Sequence, residues 1–121
     1  MIVAGFGFRS AASVESLADA LRVACDTTPD LLATLETKAT EPAFEGLAAK
    51  AALPTRAVAP DLARAQTTAT RSNASLDAHD LASVAEACAL AAAGPGARLI
   101  VPRVISSDRL ATCAIAKGGK P

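Results

Sequence analysis

Short apolar runs alternate with amphipathic stretches along the chain, and that alternation predicts the elements. Ile2 to Phe6 is a compact apolar run ending at glycines, the pattern of a buried strand. Ser13 follows as a helix N-cap with Glu15 in the first turn, and Val14, Leu17, Ala18, Leu21 and Ala24 recur at helical spacing. Pro29-Asp30 breaks that helix, and Leu31 to Leu35 predicts a second strand. A helix is expected over Phe44 to Ala52, then a brief strand over Arg56 to Ala59. A one- or two-turn helix opens at Pro60-Asp61. Gln66 to Asp77 lacks periodicity and reads as a long loop, with Asp77 or Asp80 placed to cap the next helix and His79 a loop or cap residue. Leu81 to Ala93 is the strongest helix, ended by Gly94-Pro95-Gly96. Two closing strands are expected, Arg98 to Pro102 and Leu110 to Ala116, joined through a hairpin turn at Ser106-Ser107-Asp108. Pro102 argues for an edge or terminal position in its strand.

The order of elements predicts an α/β fold: a three-layer α/β/α sandwich with a mixed, mostly parallel sheet and an antiparallel C-terminal strand. Residues 1–117 are expected to form a single domain, with 118–121 a flexible tail. A chain of 121 residues is enough for one core. With aromatics at 2%, that core must be built of aliphatic residues and alanine.

Charge narrows the function classes. Lys+Arg and Asp+Glu each number 12, so no overall field draws nucleic acid or an anionic membrane to the surface. The shortage of aromatics removes the stacking platforms that single-stranded nucleic acid needs. Most of the cations are Arg, whose planar fork suits carboxylate or phosphate, so a local anion site fits a neutral protein. Cys25, Cys88 and Cys113 are widely spaced in apolar surroundings and read as small buried hydrophobes in a reducing cytoplasm. With 1 His, no metal site is expected, nor any other cofactor. No stretch reaches transmembrane length.

Three places carry candidate chemistry. Gly5 and Gly7, between a strand and a helix, supply backbone amides for an anion cradle that Arg9 could clamp; a tight turn with a solvated arginine is the plainer reading. The third glycine of a dinucleotide fingerprint is missing. After the second strand, Thr34 offers a hydroxyl, Lys38 a cation and Glu41 a base or a cap for the next helix. Glu86 sits in an otherwise apolar helix, either on an exposed stripe or held toward a pocket. The expectation is that these patches meet at one rim of the sheet.

Taken together, the segments Gly5-Phe-Gly-Phe-Arg-Ser-Ala-Ala-Ser13, Leu32-Ala-Thr-Leu-Glu-Thr-Lys-Ala-Thr-Glu-Pro42, Ala82-Ser-Val-Ala-Glu-Ala-Cys-Ala-Leu-Ala-Ala-Ala-Gly94 and Leu110-Ala-Thr-Cys-Ala-Ile-Ala116 resemble the cobalamin-biosynthesis family comprising CobE and the C-terminal domain of CbiG. Ala11 and Asp80 depart from glycines common in that family, and Arg103 from a lysine. The domain that precedes the module in CbiG is not expected here, and the resemblance is to the stand-alone, CobE-type protein.

The resemblance implies a cytoplasmic protein that binds or processes a precorrin or corrin tetrapyrrole, alongside other enzymes of the cobalamin pathway. CbiG-type proteins open the lactone of cobalt-precorrin-5A and release acetaldehyde, whereas the CobE type belongs to the aerobic pathway. On this view Gly5, Gly7, Arg9, Thr34, Lys38 and Ser83 are ligand-binding. If the protein is a hydrolase, Glu41, Glu86 and Lys38 are its catalytic groups. A generic phosphate- or nucleotide-binding module, using the glycine turn alone, is the third alternative.

Overall fold

The computed structural model describes residues 1–25, 28–64 and 81–118. Strands β1 (Ile2–Phe8), β2 (Leu31–Leu35), β3 (Thr55–Val58), β4 (Arg98–Ile105) and β5 (Ala111–Lys117) form one sheet in the order β3-β2-β1-β5-β4. Helices α1 (Val14–Ala24), α2 (Pro42–Ala51), α3 (Pro60–Arg64) and α4 (Leu81–Ala93) cover its two faces. β1, β2 and β3 pair in parallel, while β5 runs antiparallel to both β1 and β4. Four strands therefore share one direction and β5 opposes them, as the sequence predicts. The expected loop over 66–77, and Asp77, His79 and Asp80, lie outside the described residues, as does the tail beyond 118.

Right-handed crossovers explain the layers. Stepping from β1 to β2 to β3 in one direction puts α1 and α2 on the same face. The chain then jumps past β1 to β4, and the same handedness puts α4 on the other face. Along β1, Ala4, Phe6 and Phe8 point toward α1 and α2, where they meet Leu17, Phe44 and Leu47. Val3 points the other way, into a cluster with Leu31, Ala33, Val58, Val84 and Cys88. All of the chain's phenylalanines gather in the first layer: Phe6 meets Phe44 edge-on at 6.1 Å, and Phe8 stacks on it at 6.4 Å.

The caps follow the local sequence. Ser13 and Ser16 exchange backbone-to-hydroxyl bonds at the start of α1, a capping box with serine in the place usually held by glutamate. Pro42 opens α2 at a position that needs no N–H. Gly94, with φ +97°, ends α4 in the left-handed region.

Two strands are longer than the sequence suggests. β1 continues through Gly5 and Gly7 to Phe8, pairing without a break along β5. β4 continues past Pro102 to Ile105, because it is an edge strand whose register slips between Leu99 and Val104, where a missing N–H is tolerated.

Candidate functional site

In open α/β sheets the crevice forms beyond the carboxyl ends of the strands, where the strand order reverses. Here the reversal falls at β1. Three loops gather at its carboxyl end: the segment after Phe8, the turns between Leu35 and Pro42, and the hairpin joining β4 to β5. The Arg9 N–H donates to the Leu110 carbonyl at 3.0 Å, fastening the first loop to the third. Phe8 pairs with Ala111 just beneath them.

Lys38 arches back over β1, its ammonium 5.3 Å from the centre of the Phe8 ring. Consecutive turns place it there: Lys38 N–H bonds the Leu35 carbonyl at 2.9 Å and Glu41 N–H bonds the Lys38 carbonyl at 3.0 Å. Glu41 stands at the N-cap of α2, yet its side chain makes no capping hydrogen bond. Half-buried, its carboxylate has no partner among the described residues. Arg9 is exposed and its guanidinium is likewise unengaged among the described residues. Arg9, Lys38 and Glu41 thus stand around the end of β1 with their charged groups available.

Thr34 is fully buried, and its hydroxyl donates to the Phe6 carbonyl at 3.0 Å. The β1–β2 register extends only to Gly5 and Ala33, so this bond replaces the ladder bond lost as the strands part. Thr34 shapes the floor of the crevice from below. Thr112 does the same on the other side, donating to the Gly7 carbonyl at 3.2 Å.

The glycine turn expected at Gly5 and Gly7 is corrected. Both residues are buried inside β1 and line no loop. A Cβ on Gly5 would stand 2.3 Å from the Ala85 carbonyl oxygen and 2.5 Å from the Ala89 nitrogen, so that glycine admits α4, not an anion. Ser83 lies in the first turn of α4, its side chain outside the described residues.

Glu86 is fully buried, and its Oε2 accepts the Arg103 N–H at 3.0 Å. That donor sits where β4 slips register and has no strand partner, so the carboxylate completes the edge of the sheet. Glu86 lies on the α4 face, while Lys38 and the Phe8 ring lie on the α1–α2 face. Arg9 follows Phe8 directly and Lys38 lies over the Phe8 ring, so both residues sit at the carboxyl end of β1, while Glu86 lies on the α4 face.

The β4–β5 hairpin, a plain turn by its sequence, carries a dense polar network. Asp108 accepts the Ser16 and Ser106 hydroxyls at 2.5 Å each and the Leu110 N–H at 3.0 Å. Asp19 on α1 accepts the Ser107 N–H at 2.7 Å. These donors, led by the Ser106 hydroxyl, hold the Asp108 carboxyl below the usual carboxylate range. The Ser107 N–H does the same for Asp19. Ser16 and Asp108 are 92 residues apart, a pairing that no local pattern reveals.

Elsewhere, a cleft of about 400 Å³ opens between the ends of α1 and α2, lined by Leu21, Cys25, Leu47 and Leu53 with Arg22 and Lys50 at its lip. It lies at the opposite end of the strands from Phe8. The described residues hold no cluster of His, Cys, Asp and Glu suited to a metal ion, and no helix long and apolar enough to cross a membrane.

The family model for Cobalamin synthesis G C-terminus matches residues 2–116. Cobalamin biosynthesis protein chiG from Agrobacterium tumefaciens str. C58 superposes with a TM-score of 0.75 at 34% identity, over 99% of this chain and 100% of that one. The structure of CobE, a protein from the cobalamin (vitamin B12) biosynthetic pathway, gives 0.79 at 30% identity, over 96% and 89%. A cobalamin biosynthesis protein G homolog from Sulfolobus solfataricus gives 0.72 at 18% identity, over 97% of this chain and 36% of that one, a likeness of fold. A search of curated proteins finds no match.

Proposed function

The chain belongs to the cobalamin synthesis G C-terminus family, and from that premise we propose that it binds a precorrin or corrin intermediate of cobalamin biosynthesis at the carboxyl end of β1. The observation that carries this reading is the Lys38 ammonium, over the Phe8 ring and without a carboxylate partner among the described residues, with the exposed Arg9 next in the chain after Phe8 where the strand order reverses. Such intermediates bear many acetate and propionate groups on a rigid ring. A guanidinium and an ammonium on separate loops suit that spread of carboxylates.

Roles follow from the geometry. Arg9 takes a carboxylate by its fork, and Lys38 takes a second as a point charge. The Phe8 ring beneath Lys38 keeps the ammonium from folding away. Thr34 and Glu86, with hydroxyl and carboxylate committed to backbone groups, position the strands and do not touch the ligand. We place the protein in the cytoplasm, where Cys88 and Cys113 persist as buried thiols.

Titrating the purified protein with hydrogenobyrinic acid tests the reading. Saturable change in the corrin absorbance is expected, weakened by salt. No binding at high micromolar ligand overturns it.

A second reading rests on the unpartnered Glu41 carboxylate one turn beyond Lys38. As a general base, Glu41 would take a proton from water while that water's oxygen attacks a lactone carbonyl. Lys38 would stabilise the oxyanion, and the ring C–O bond would break to give a carboxylate and an alcohol. Turnover that collapses in Glu41→Gln, with ligand binding retained, would select this reading; full turnover in Glu41→Gln removes it.

A further inference from the structure

The turn between β4 and β5 holds an arginine in a conformation that favours glycine. Arg109 has φ +63°, the left-handed region in which an L side chain crowds its own backbone. Glycine or asparagine would sit there more easily. The turn is nonetheless fixed from several sides. The Arg109 N–H donates to the Ser106 carbonyl at 2.9 Å, and Asp108 gathers Ser16, Ser106 and the Leu110 N–H. The Ser107 N–H is tied to Asp19 on α1.

All of these bonds use the backbone of the turn and the carboxylate beside it. The Arg109 side chain takes part in none, is exposed, and has no ion pair among the described residues. Its neighbour Leu110 accepts the Arg9 N–H, so the two arginines stand on adjoining loops at the end of β1.

Resting on the tetrapyrrole reading above, we infer that Arg109 is a third anion-binding residue of this rim, gripping a carboxylate on the β5 side as Lys38 does on the β2 side. β5 and β2 flank β1, so the turn bearing Arg109 and the loop bearing Lys38 stand on either side of it, with the Lys38 ammonium reaching back over Phe8. Cations carried on three separate loops suit a rigid ligand with several carboxylates around its edge better than one phosphate. The locked turn fixes the backbone from which the guanidinium reaches, so little backbone freedom is lost on binding.

Arg109→Gly tests the assignment, because it relieves the backbone while removing the cation. The expected result is a melting temperature raised by a few degrees together with a roughly tenfold loss of affinity for hydrogenobyrinic acid. That loss should shrink for a corrinoid whose peripheral carboxylates are converted to amides. Wild-type binding with unchanged affinity in Arg109→Gly overturns the assignment and leaves the tetrapyrrole reading standing. Affinity lost together with melting temperature also overturns it, since the change is then one of folding. A wild-type protein that fails to bind hydrogenobyrinic acid overturns both.

Discussion

Gly5 lies so close beneath α4 that a Cβ added to it would stand 2.3 Å from the carbonyl oxygen of Ala85. The obstacle is helix backbone, which cannot swing aside as a side chain can. Any larger residue must push α4 off the sheet; overpacking costs about 1–3 kcal/mol, and a backbone obstacle puts Gly5 at the upper end of that range. Gly5→Ala is therefore expected to lower the denaturant midpoint without changing the slope of unfolding. In a chain of this size the melting temperature should fall by roughly 10 °C or more. A variant as stable as the parent would show that α4 adjusts freely and that close packing is not the reason for glycine.

That contact also shows where sequence reading stops. Glycine is depleted in strands, so Gly5 and Gly7 read as a loop although Phe6 and Phe8 alternate with them at strand spacing. The glycine at position 5 answers to a helix eighty residues later, and only the assembled layers disclose it. Periodicity and caps were enough for Ser13 opening α1 and for the hairpin at Ser106 to Asp108, because those signals are local. The carboxyl-end loops bearing Arg9, Lys38 and Glu41 were legible for the same reason. Which face each side chain serves was not, since Glu86 finds its partner through a slip in β4 that Pro102 only hints at. Arg109 gave no signal either, because its unusual φ is imposed by a network reaching to Ser16.

Glu86 separates a structural carboxylate from a chemical one. Glu86→Gln keeps an oxygen to accept the Arg103 N–H and should change stability little. Glu86→Ala leaves that N–H without its partner and should lose about 1–3 kcal/mol. Ligand affinity in Glu86→Gln should match the parent. A collapse of function in Glu86→Gln, with unaltered unfolding, would instead make the carboxylate part of the chemistry.

Lys38 should show the opposite balance. Its exchange for methionine keeps the stem over Phe8 and removes only the charge, so the cost to stability is expected at about 0.5–1 kcal/mol. Affinity for hydrogenobyrinic acid should fall about tenfold, and the dependence of binding on salt should flatten with it. Equal affinity of Lys38→Met and parent at low salt would remove Lys38 from the site.

The buried thiols make a prediction about reactivity. Desolvation pushes the Cys88 thiol up to about 12, and Cys113 is raised by burial and, secondarily, by Cys25. Neither forms appreciable thiolate at neutral pH, so neither should react with a thiol reagent until the protein unfolds. Above about pH 8.5 the unfolded chain releases these protons while the native state holds them. Stability should therefore decline as pH rises from there toward 12, and less so in Cys88→Ala. Rapid labelling of Cys88 in the native protein would contradict this environment.

Asp108 makes the converse prediction at the acid end. Its folded pKa is depressed by the Ser106 hydroxyl, then Ser16, then the Leu110 N–H. A depressed carboxylate stabilises the native state above its unfolded value of about 3.9, and that contribution is lost as pH falls below it toward the native value. Asp108→Asn should be less stable than the parent at pH 7, and the gap between their melting temperatures should narrow below about pH 4. The same variant loosens the turn that carries Leu110 and Arg109, so ligand affinity at pH 7 should also weaken although Asp108 itself repels anions. Weaker binding on removing a negative charge is the sign that distinguishes a positioning residue from a bystander. Tighter binding in Asp108→Asn would mean that its charge opposes the ligand directly and that the turn holds its shape without it.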